Sequence, residues 1–337
     1  MIRTLTVLTA LLVLAIGWNA VEAVEKATAP PSAVPWSALR FQAEKMAGRI
    51  TAEVWIEPEQ AASLPPGRWP AVKGEPLRPV GPTLLKLSIR LKIEPPGMEP
   101  LRMENQLWFD SQSGAPLRLI RTRAGIDDYV QWFVFGREQV FRRQHEPGSP
   151  GQTNGPPESW TRVSERAYAF RAEGCPRPAE TSMLVYLLSD AVARGALDLG
   201  PRCVFHKRQL HRLSFRTERQ ELVPYDYLER SGGESRRRTG AGDAVTVRIE
   251  STPVGTYEGS VEPWFKDGFL TFSADGRLPL VVACDLPVVG HVELRLDEVR
   301  WHYPQKGAGE EKRRAGTDSA SGVSLASRPI GSYRFTK

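Results

Sequence analysis

Residues Phe269-Leu-Thr-Phe-Ser-Ala-Asp-Gly-Arg-Leu-Pro-Leu-Val-Val-Ala-Cys284 predict a strand, a tight turn and a second strand. Asp275-Gly276 provides the reversal, because glycine adopts positive φ without a steric penalty. Before the turn, Phe269 and Thr271 alternate with Leu270 and Phe272. After the turn, residues of one parity share one strand face, which carries Leu280, Val282 and Cys284.

The same period of two recurs through much of the chain, most clearly between Leu85 and Ile93, where apolar residues alternate with Lys, Ser and Arg. The 28 prolines and 29 glycines often separate short runs of this kind, which favours a β-rich fold with many turns. Further strands are predicted at 103–109, 116–123, 129–135, 140–143, 160–171, 203–217, 222–230, 245–249 and 291–299.

Two segments allow more than one interpretation. Leu39 to Ile56 changes alternation parity near Lys45-Met46, which predicts a long strand with a bulge or, alternatively, a short helix over 41–46. Leu107–Leu119 resembles Leu270–Val282 in having an aromatic strand, a glycine turn and a Pro-Leu return. This similarity fits an internal duplication or simply two hairpins of one type.

One convincing helix is predicted, from Thr181 to Arg194. Thr181 or Ser182 can cap it, and Gly195 can end it. Its apolar residues extend beyond a single stripe, which is typical of a helix buried on most sides. Because an open sheet must cover its apolar face, we expect a mainly β fold, a strongly curved antiparallel sheet or partial β-barrel around this one apolar helix.

The N-terminus predicts export. Arg3 precedes an apolar stretch over 5–18, and Val21-Glu-Ala23 resembles a signal-peptidase site. The alternative is an uncleaved anchor, although the apolar stretch is shorter than the ~20 residues that a bilayer requires. We therefore predict a signal peptide at 1–23, a periplasmic location and no transmembrane span after cleavage.

The predicted domain organisation follows from composition. A flexible Ala/Pro-rich leader at 24–35 precedes a single β domain at 36–303, and the polar segment 304–337 is predicted to be disordered. The net charge of +6 is compatible with an anionic envelope surface as partner, or with a soluble basic protein. Export argues against nucleic acid.

The chain has three cysteines. In an oxidising compartment, Cys175 and Cys203 are candidates for a disulfide, although spacing alone does not establish the pairing. Cys284 shares the inward parity of its strand and is predicted to be a small core residue.

The C-terminal half carries a resemblance to a known family. A buried helix, paired strands, the motif Phe272-Ser-Ala-Asp-Gly-Arg-Leu-Pro-Leu280 and the strand 291–299 resemble exported bacterial proteins grouped as a domain of unknown function. The resemblance covers roughly 36–303 and is most specific over 245–299. It implies a curved, half-open sheet similar to periplasmic carriers of lipoproteins, and it assigns no catalytic residue to this chain. The Arg-rich segment 231–243 and the polar tail depart from it.

Other candidate sites have simple structural explanations. His206 and His211 are five apart, which fits neither a helical metal pair nor one strand face, so both are predicted at the surface. Asp127-Asp128 could be paired carboxylates but fits a turn, and Arg236–Arg238 could bind phosphate but fits a solvated loop. Trp132, Phe133 and Phe135 could line a pocket but fit a core. No Gly-x-Ser-x-Gly elbow occurs, and no cofactor or metal site is predicted.

The sequence therefore predicts a non-enzymatic periplasmic binding or carrier module for a lipid or lipidated protein. The expected ligand-lining residues are Leu184, Leu188, Phe272 and Val282. The alternative is a structural or assembly factor of the cell envelope that binds a protein or a wall polymer, with a solid interior. A third interpretation is an enzyme acting on envelope polymers.

Overall fold

The computed structural model describes residues 34–45, 48–64, 69–125, 127–176, 178–196, 200–255, 268–286 and 289–302. The predicted signal peptide, most of the predicted leader and the predicted tail lie outside these residues. The described residues form fifteen strands and one α-helix: β1 Trp36–Lys45, β2 Gly48–Gln60, β3 Thr83–Glu94, β4 Leu101–Asp110, β5 Pro116–Ala124, β6 Tyr129–Phe135, β7 Gln139–Glu146, β8 Arg162–Ala169, β9 Ala179–Glu180, α1 Leu184–Ala193, β10 Arg202–His206, β11 Gln209–Ser231, β12 Glu234–Val254, β13 Gly268–Ser273, β14 Pro279–Leu286 and β15 Gly290–Trp301.

All fifteen strands belong to one sheet. Its order runs from β8 down to β1, then from β15 down to β9, so that the first and last strands pair near its middle. Neighbours are antiparallel except β9 with β10. A short parallel pairing of β11 with β15 closes β11–β15 into a five-stranded barrel, and the remaining strands lie outside it. The predicted mainly β fold with a partial barrel is confirmed.

The strand register gives this sheet one apolar face, which we call the inner face. On the β2–β6 side, a single row across five strands consists of Ile56, Leu87, Leu107, Leu119 and Phe133, all buried. On the barrel side, the corresponding row consists of Val247, Leu270, Val282 and Leu294. The alternation read from the sequence placed these residues correctly, because one face of each strand meets the core.

Helix α1 packs on this inner face. Leu184, Leu188 and Val192 belong to one apolar cluster with Val247 and Phe272 of the barrel strands. The ring of Tyr186 lies 5.2 Å from the ring of Phe109 on β4, on the other half of the sheet. The predicted apolar helix therefore contacts both halves of the sheet.

The helix begins and ends through local hydrogen bonds. A 3₁₀ turn at Thr181–Met183 precedes it, and its cap is the Glu180 side chain, which accepts from the Ser182 N–H. The prediction that Thr181 or Ser182 caps the helix is therefore wrong. Gly195 ends it as predicted, with φ +74° and its N–H donating to Val192 O at 2.9 Å.

Three local predictions were wrong. The parity change near Lys45-Met46, which predicted a bulge or a short helix, is the hairpin between β1 and β2. Gly48 follows this turn with φ +115°, and a Cβ on it would lie 2.0 Å from Glu94 O. The segment 231–243 is not a loop, since the turn is confined to Ser231–Glu234 and Arg236–Arg238 lie within β12. Likewise, 203–217 is the β10–β11 hairpin, which reverses at Lys207.

The hairpin 269–284 forms as predicted, with its turn against α1. The Asp275 carboxylate accepts from Ser273 Oγ and from the Arg277 N–H, and Gly276 has φ +69°. A Cβ on Gly276 would lie 2.8 Å from Val192 O at the end of α1. This glycine is therefore required by both its backbone conformation and its neighbour.

We predict that Gly276→Ala lowers the free energy of unfolding by about 1–3 kcal/mol, because it adds a steric contact to an unfavourable backbone conformation. The control is Gly290→Ala, since Gly290 has φ +73° but no atom within 4 Å of a Cβ. Urea unfolding of both variants measures the difference. Equal losses for the two variants would show that the turn does not press on α1.

Candidate functional site

The four predicted lining residues lie together on the inner face. Leu184 and Leu188 are one turn apart on α1, Phe272 lies on β13, and all three are at most 3% exposed. Val282 on β14 is half-buried and packs against the same cluster. The apolar site predicted from the sequence is therefore one contiguous cluster, and α1 fills it.

Two cavities among the described residues lie away from this cluster. One has a volume of about 40 Å³ and is lined by β1, β2 and β15, including Arg40, Glu53 and Glu298. The other is a wide depression of about 370 Å³ beside the β1–β2 turn, lined by Glu44, Gly48, Arg49 and Glu94. Neither includes any of the predicted lining residues.

A buried polar cluster, Glu180–Ser182, fixes the N-terminal end of α1 to the sheet. Glu180 Oε1 lies 3.2 Å from Arg121 Nη2, with both side chains largely buried. Arg121 Nε donates to Asn105 Oδ1 at 3.2 Å, and Asn105 Nδ2 donates to Ser182 Oγ at 3.0 Å. Burial raises the pKa of the Glu180 carboxyl, against the opposing effects of Arg121 and the Ser182 hydrogen bonds.

His206 extends this cluster, and the prediction that it lies at the surface was wrong. It is 6% exposed, and its Nδ1 lies 3.2 Å from Thr181 Oγ1. Because Thr181 donates its hydroxyl proton to Phe205 O at 2.7 Å, its oxygen accepts from the histidine. Burial, followed by the charges of Arg121 and Lys207, lowers the pKa of His206 well below its usual value.

His211 is also buried, contrary to prediction, and it contacts a serine. Its Nδ1 lies 3.0 Å from Ser251 Oγ, and its Nε2 lies 3.1 Å from Gln209 Nε2. An amide nitrogen only donates, so Nε2 accepts and Nδ1 carries the proton that Ser251 accepts. In this tautomer His211 cannot take the serine proton, so the pair lacks the arrangement of a nucleophile with its general base.

The inner face of β5–β8 carries an excess of positive charge, which we call the cationic zone. The register places five arginines on this face, namely Arg121, Arg123, Arg142, Arg162 and Arg166. Two glutamates face them, Glu146 from β7 and Glu180 from the start of α1. Arg123 and Arg142 each have a buried Nε without a hydrogen-bond partner among the described residues.

The remaining candidates have structural roles. Cys175 and Cys203 form a disulfide, with Cα atoms 5.6 Å apart. Cys284 is half-buried rather than fully buried, and burial raises the pKa of its thiol to about 12, which keeps it protonated. Trp132, Phe133 and Phe135 are buried in the sheet, in agreement with the core interpretation.

Three residues of the charged motifs, Arg237, Arg238 and Asp128, form local pairs. Arg237 bonds Asp226 at 2.6 Å, and Arg238 bonds Glu229 at 2.5 Å across the β11–β12 hairpin. Asp128 accepts from the Gly125 N–H at 2.7 Å in the turn before β6, as the turn interpretation predicted. Among the residues that the structure describes, no group of three His, Cys, Asp or Glu side chains could hold a metal ion.

No protein-family model matches the chain, and comparisons with curated proteins and with solved structures also found no match. The resemblance to exported proteins of unknown function therefore stays a prediction. Within the described residues, no helix is both long and apolar enough to cross a membrane.

We predict that Glu180→Ala lowers the free energy of unfolding by about 3–5 kcal/mol, because it leaves the Arg121 guanidinium buried without its partner. The double variant Arg121→Met, Glu180→Leu should recover most of this loss. As a control, Glu165→Ala removes the exposed partner of Arg143 and should change stability by less than about 1 kcal/mol. Denaturation at pH 7 measures all three, and a double variant as unstable as Glu180→Ala would contradict the prediction.

His206 should make the protein acid-sensitive. Below about pH 6.5 the unfolded chain binds a proton at this position and the folded chain does not, so the free energy of unfolding falls by about 1.4 kcal/mol per pH unit as the pH falls. Glu180, with its raised pKa, contributes with opposite sign, but it does so equally in wild type and variants.

His206→Asn keeps a donor near Thr181 and removes the titration, so stability measured from pH 7 to pH 5 should fall less steeply than in wild type. The control is His291→Asn, which makes the same substitution at an exposed position on β15. The same slope in His206→Asn as in wild type would show that His206 titrates alike in the folded and unfolded states.

Proposed function

We propose that this protein is a non-enzymatic binding module of the bacterial cell envelope, and that its ligand is a lipid or an acylated partner with an anionic group. The observation that carries the proposal is the division of the inner face into two adjoining zones. One is the apolar cluster around Leu184, Leu188, Phe272 and Val282, and the other is the cationic zone of β5–β8. An anionic amphiphile has the same two parts.

In this proposal, α1 lifts from the sheet and the acyl chain inserts between them, with Leu184 and Leu188 on one side and Phe272 and Val282 on the other. The helix already fills the apolar cluster, so a ligand can enter only where α1 moves away. The apolar surface that α1 would expose is then covered by the acyl chain, which compensates the lost hydrophobic contacts. The Glu180–Ser182 cluster opposes this movement, because it ties the start of α1 to Asn105 and Arg121.

The packed state of the interior also favours a second candidate function, a structural or assembly factor. In that case α1 never leaves the sheet, and recognition of a protein or wall polymer uses the exposed surface, including the β11–β12 hairpin. Most of its arginines are already paired with carboxylates, as Arg237 is with Asp226. The β11–β12 hairpin therefore carries less uncompensated positive charge than the cationic zone.

We expect a fluorescent fatty acid to bind wild-type protein saturably and to be displaced by unlabelled palmitate. Asn105→Ala removes the hydrogen bond to Ser182 at the start of α1 and the hydrogen bond from Arg121, so it should raise the affinity by up to about tenfold. Asn154→Ala, at an exposed loop position, is the matched control and should leave the affinity unchanged.

Circular dichroism establishes that each variant is folded before the titration, and native mass spectrometry gives the ligand stoichiometry. Absence of saturable binding to wild type and to Asn105→Ala would reject the carrier and leave the assembly factor. A lipid that co-purifies from the native host at one per chain would support the carrier directly.

A further inference from the structure

Arg142 on β7 is a buried arginine to which no carboxylate of the described chain is bonded. This residue is 7% exposed, and its register partner Phe133 places it on the inner face. Its Nε is buried without a hydrogen-bond partner among the described residues. The contact it does make is with an aromatic face, since its Cζ lies 5.6 Å from the centre of the Tyr168 ring.

The neighbours of Arg142 increase this imbalance. Arg166 stands directly opposite it on β8, where like charges are unfavourable. The exposed Arg208, in the β10–β11 turn, adds a further positive charge close enough to lower the pKa of Arg142 after the larger effect of burial. Glu146 is the carboxylate whose charge Arg142 feels, and it already bonds Gln144 and Arg162.

A buried ion without a counter-ion is strongly unfavourable, which is why buried charges in proteins are normally paired. Here Arg166 faces Arg142 across the β7–β8 pair, the charge of Arg208 also acts on Arg142, and no carboxylate of the described chain bonds Arg142. Guanidinium groups bind phosphoryl oxygens through parallel N–H donors, and several of them can share one phosphate.

We propose that Arg142, together with Arg166 and Arg208, forms a binding site for a phosphate group. Tyr168 and Phe205, whose ring centres are 6.1 Å apart, give the site an aromatic wall beside the arginines. Such a wall excludes water and strengthens the interaction between charges. The site extends the proposed function, on which it rests for the source of the phosphate, namely a phospholipid headgroup rather than free phosphate.

The test uses wild-type protein, Arg142→Met and Arg143→Met. Arg143 is the matched control, because it is the next residue on β7, faces the opposite side and is paired with Glu165. Inorganic phosphate should raise the melting temperature of wild type and of Arg143→Met more than chloride does at equal ionic strength. Arg142→Met should lose this effect and bind phosphate at least about tenfold more weakly by calorimetry.

The melting temperature without phosphate separates binding from folding. Met replaces an uncompensated buried charge by an apolar side chain of similar length, so Arg142→Met should be at least as stable as wild type. Arg166→Gln changes an exposed side chain, so it should keep the fold intact and still weaken phosphate binding. Phosphate that acts no differently from chloride, or that binds Arg142→Met as tightly as wild type, would overturn the site.

A second arm identifies the source of the phosphate. Dihexanoyl phosphatidylglycerol, used below its micelle concentration, should bind wild type more tightly than inorganic phosphate and should depend on Arg142. If phosphate binds but the lipid binds no more tightly, the site stands and the proposed lipid function fails. If the lipid binds equally to wild type and Arg142→Met, the lipid function stands and the phosphate site is overturned.

Discussion

The fold depends on covering one apolar face of a single continuous sheet. A helix of ten residues is about 15 Å long, whereas a row across five strands already extends about 19 Å. Helix α1 therefore covers the centre of the inner face and leaves its margins. The sheet covers these margins by curling, so that Phe135 and Phe170, from the β6–β8 end, meet Phe205 from β10, at the other end.

The same constraint explains where polar groups enter the interior. The N–H groups at the start of a helix have no acceptor within the helix and need one elsewhere. In the turn that leads into α1, the Glu180 carboxylate accepts from the Ser182 N–H. A carboxylate buried for that purpose needs a counter-charge, which Arg121 provides, and Arg121 in turn lies over the ring of Phe133. Against this background of matched groups, the lack of a carboxylate partner distinguishes Arg142 from Arg121.

The alternation of strand residues and the end of the helix could be predicted from the sequence, because each depends on neighbouring residues. The hairpin 269–284, the strand β3 and the end of α1 at Gly195 were placed on that basis. The β1–β2 hairpin was missed because its turn at Gly48 is fixed by contact with Glu94, a residue distant in sequence. His206 and His211 were misplaced because their burial depends on Thr181 and Ser251, which strand pairing and helix docking bring near.

Part of the cationic zone could have been predicted from the sequence. Arg121 and Arg123 share a strand parity with Leu119, so their inward direction could have been inferred. The addition of Arg142 and Arg166 could not, since it requires the register of β7 with β8. The apolar lining was easier, because hydrophobic residues on a helix and a hairpin have few alternatives to packing against each other.

The pairing of β1 with β15 has a consequence for how the molecule is made. Trp36 pairs with Trp301, and the barrel closes only when Arg230 of β11 reaches Arg300 of the same last strand. Both pairings join an early or a middle strand to β15, the last strand of the described residues, so they have high contact order. A growing chain thus keeps two unpaired strand edges until synthesis reaches residue 301, and this protein should acquire its native structure late, as a post-translational event.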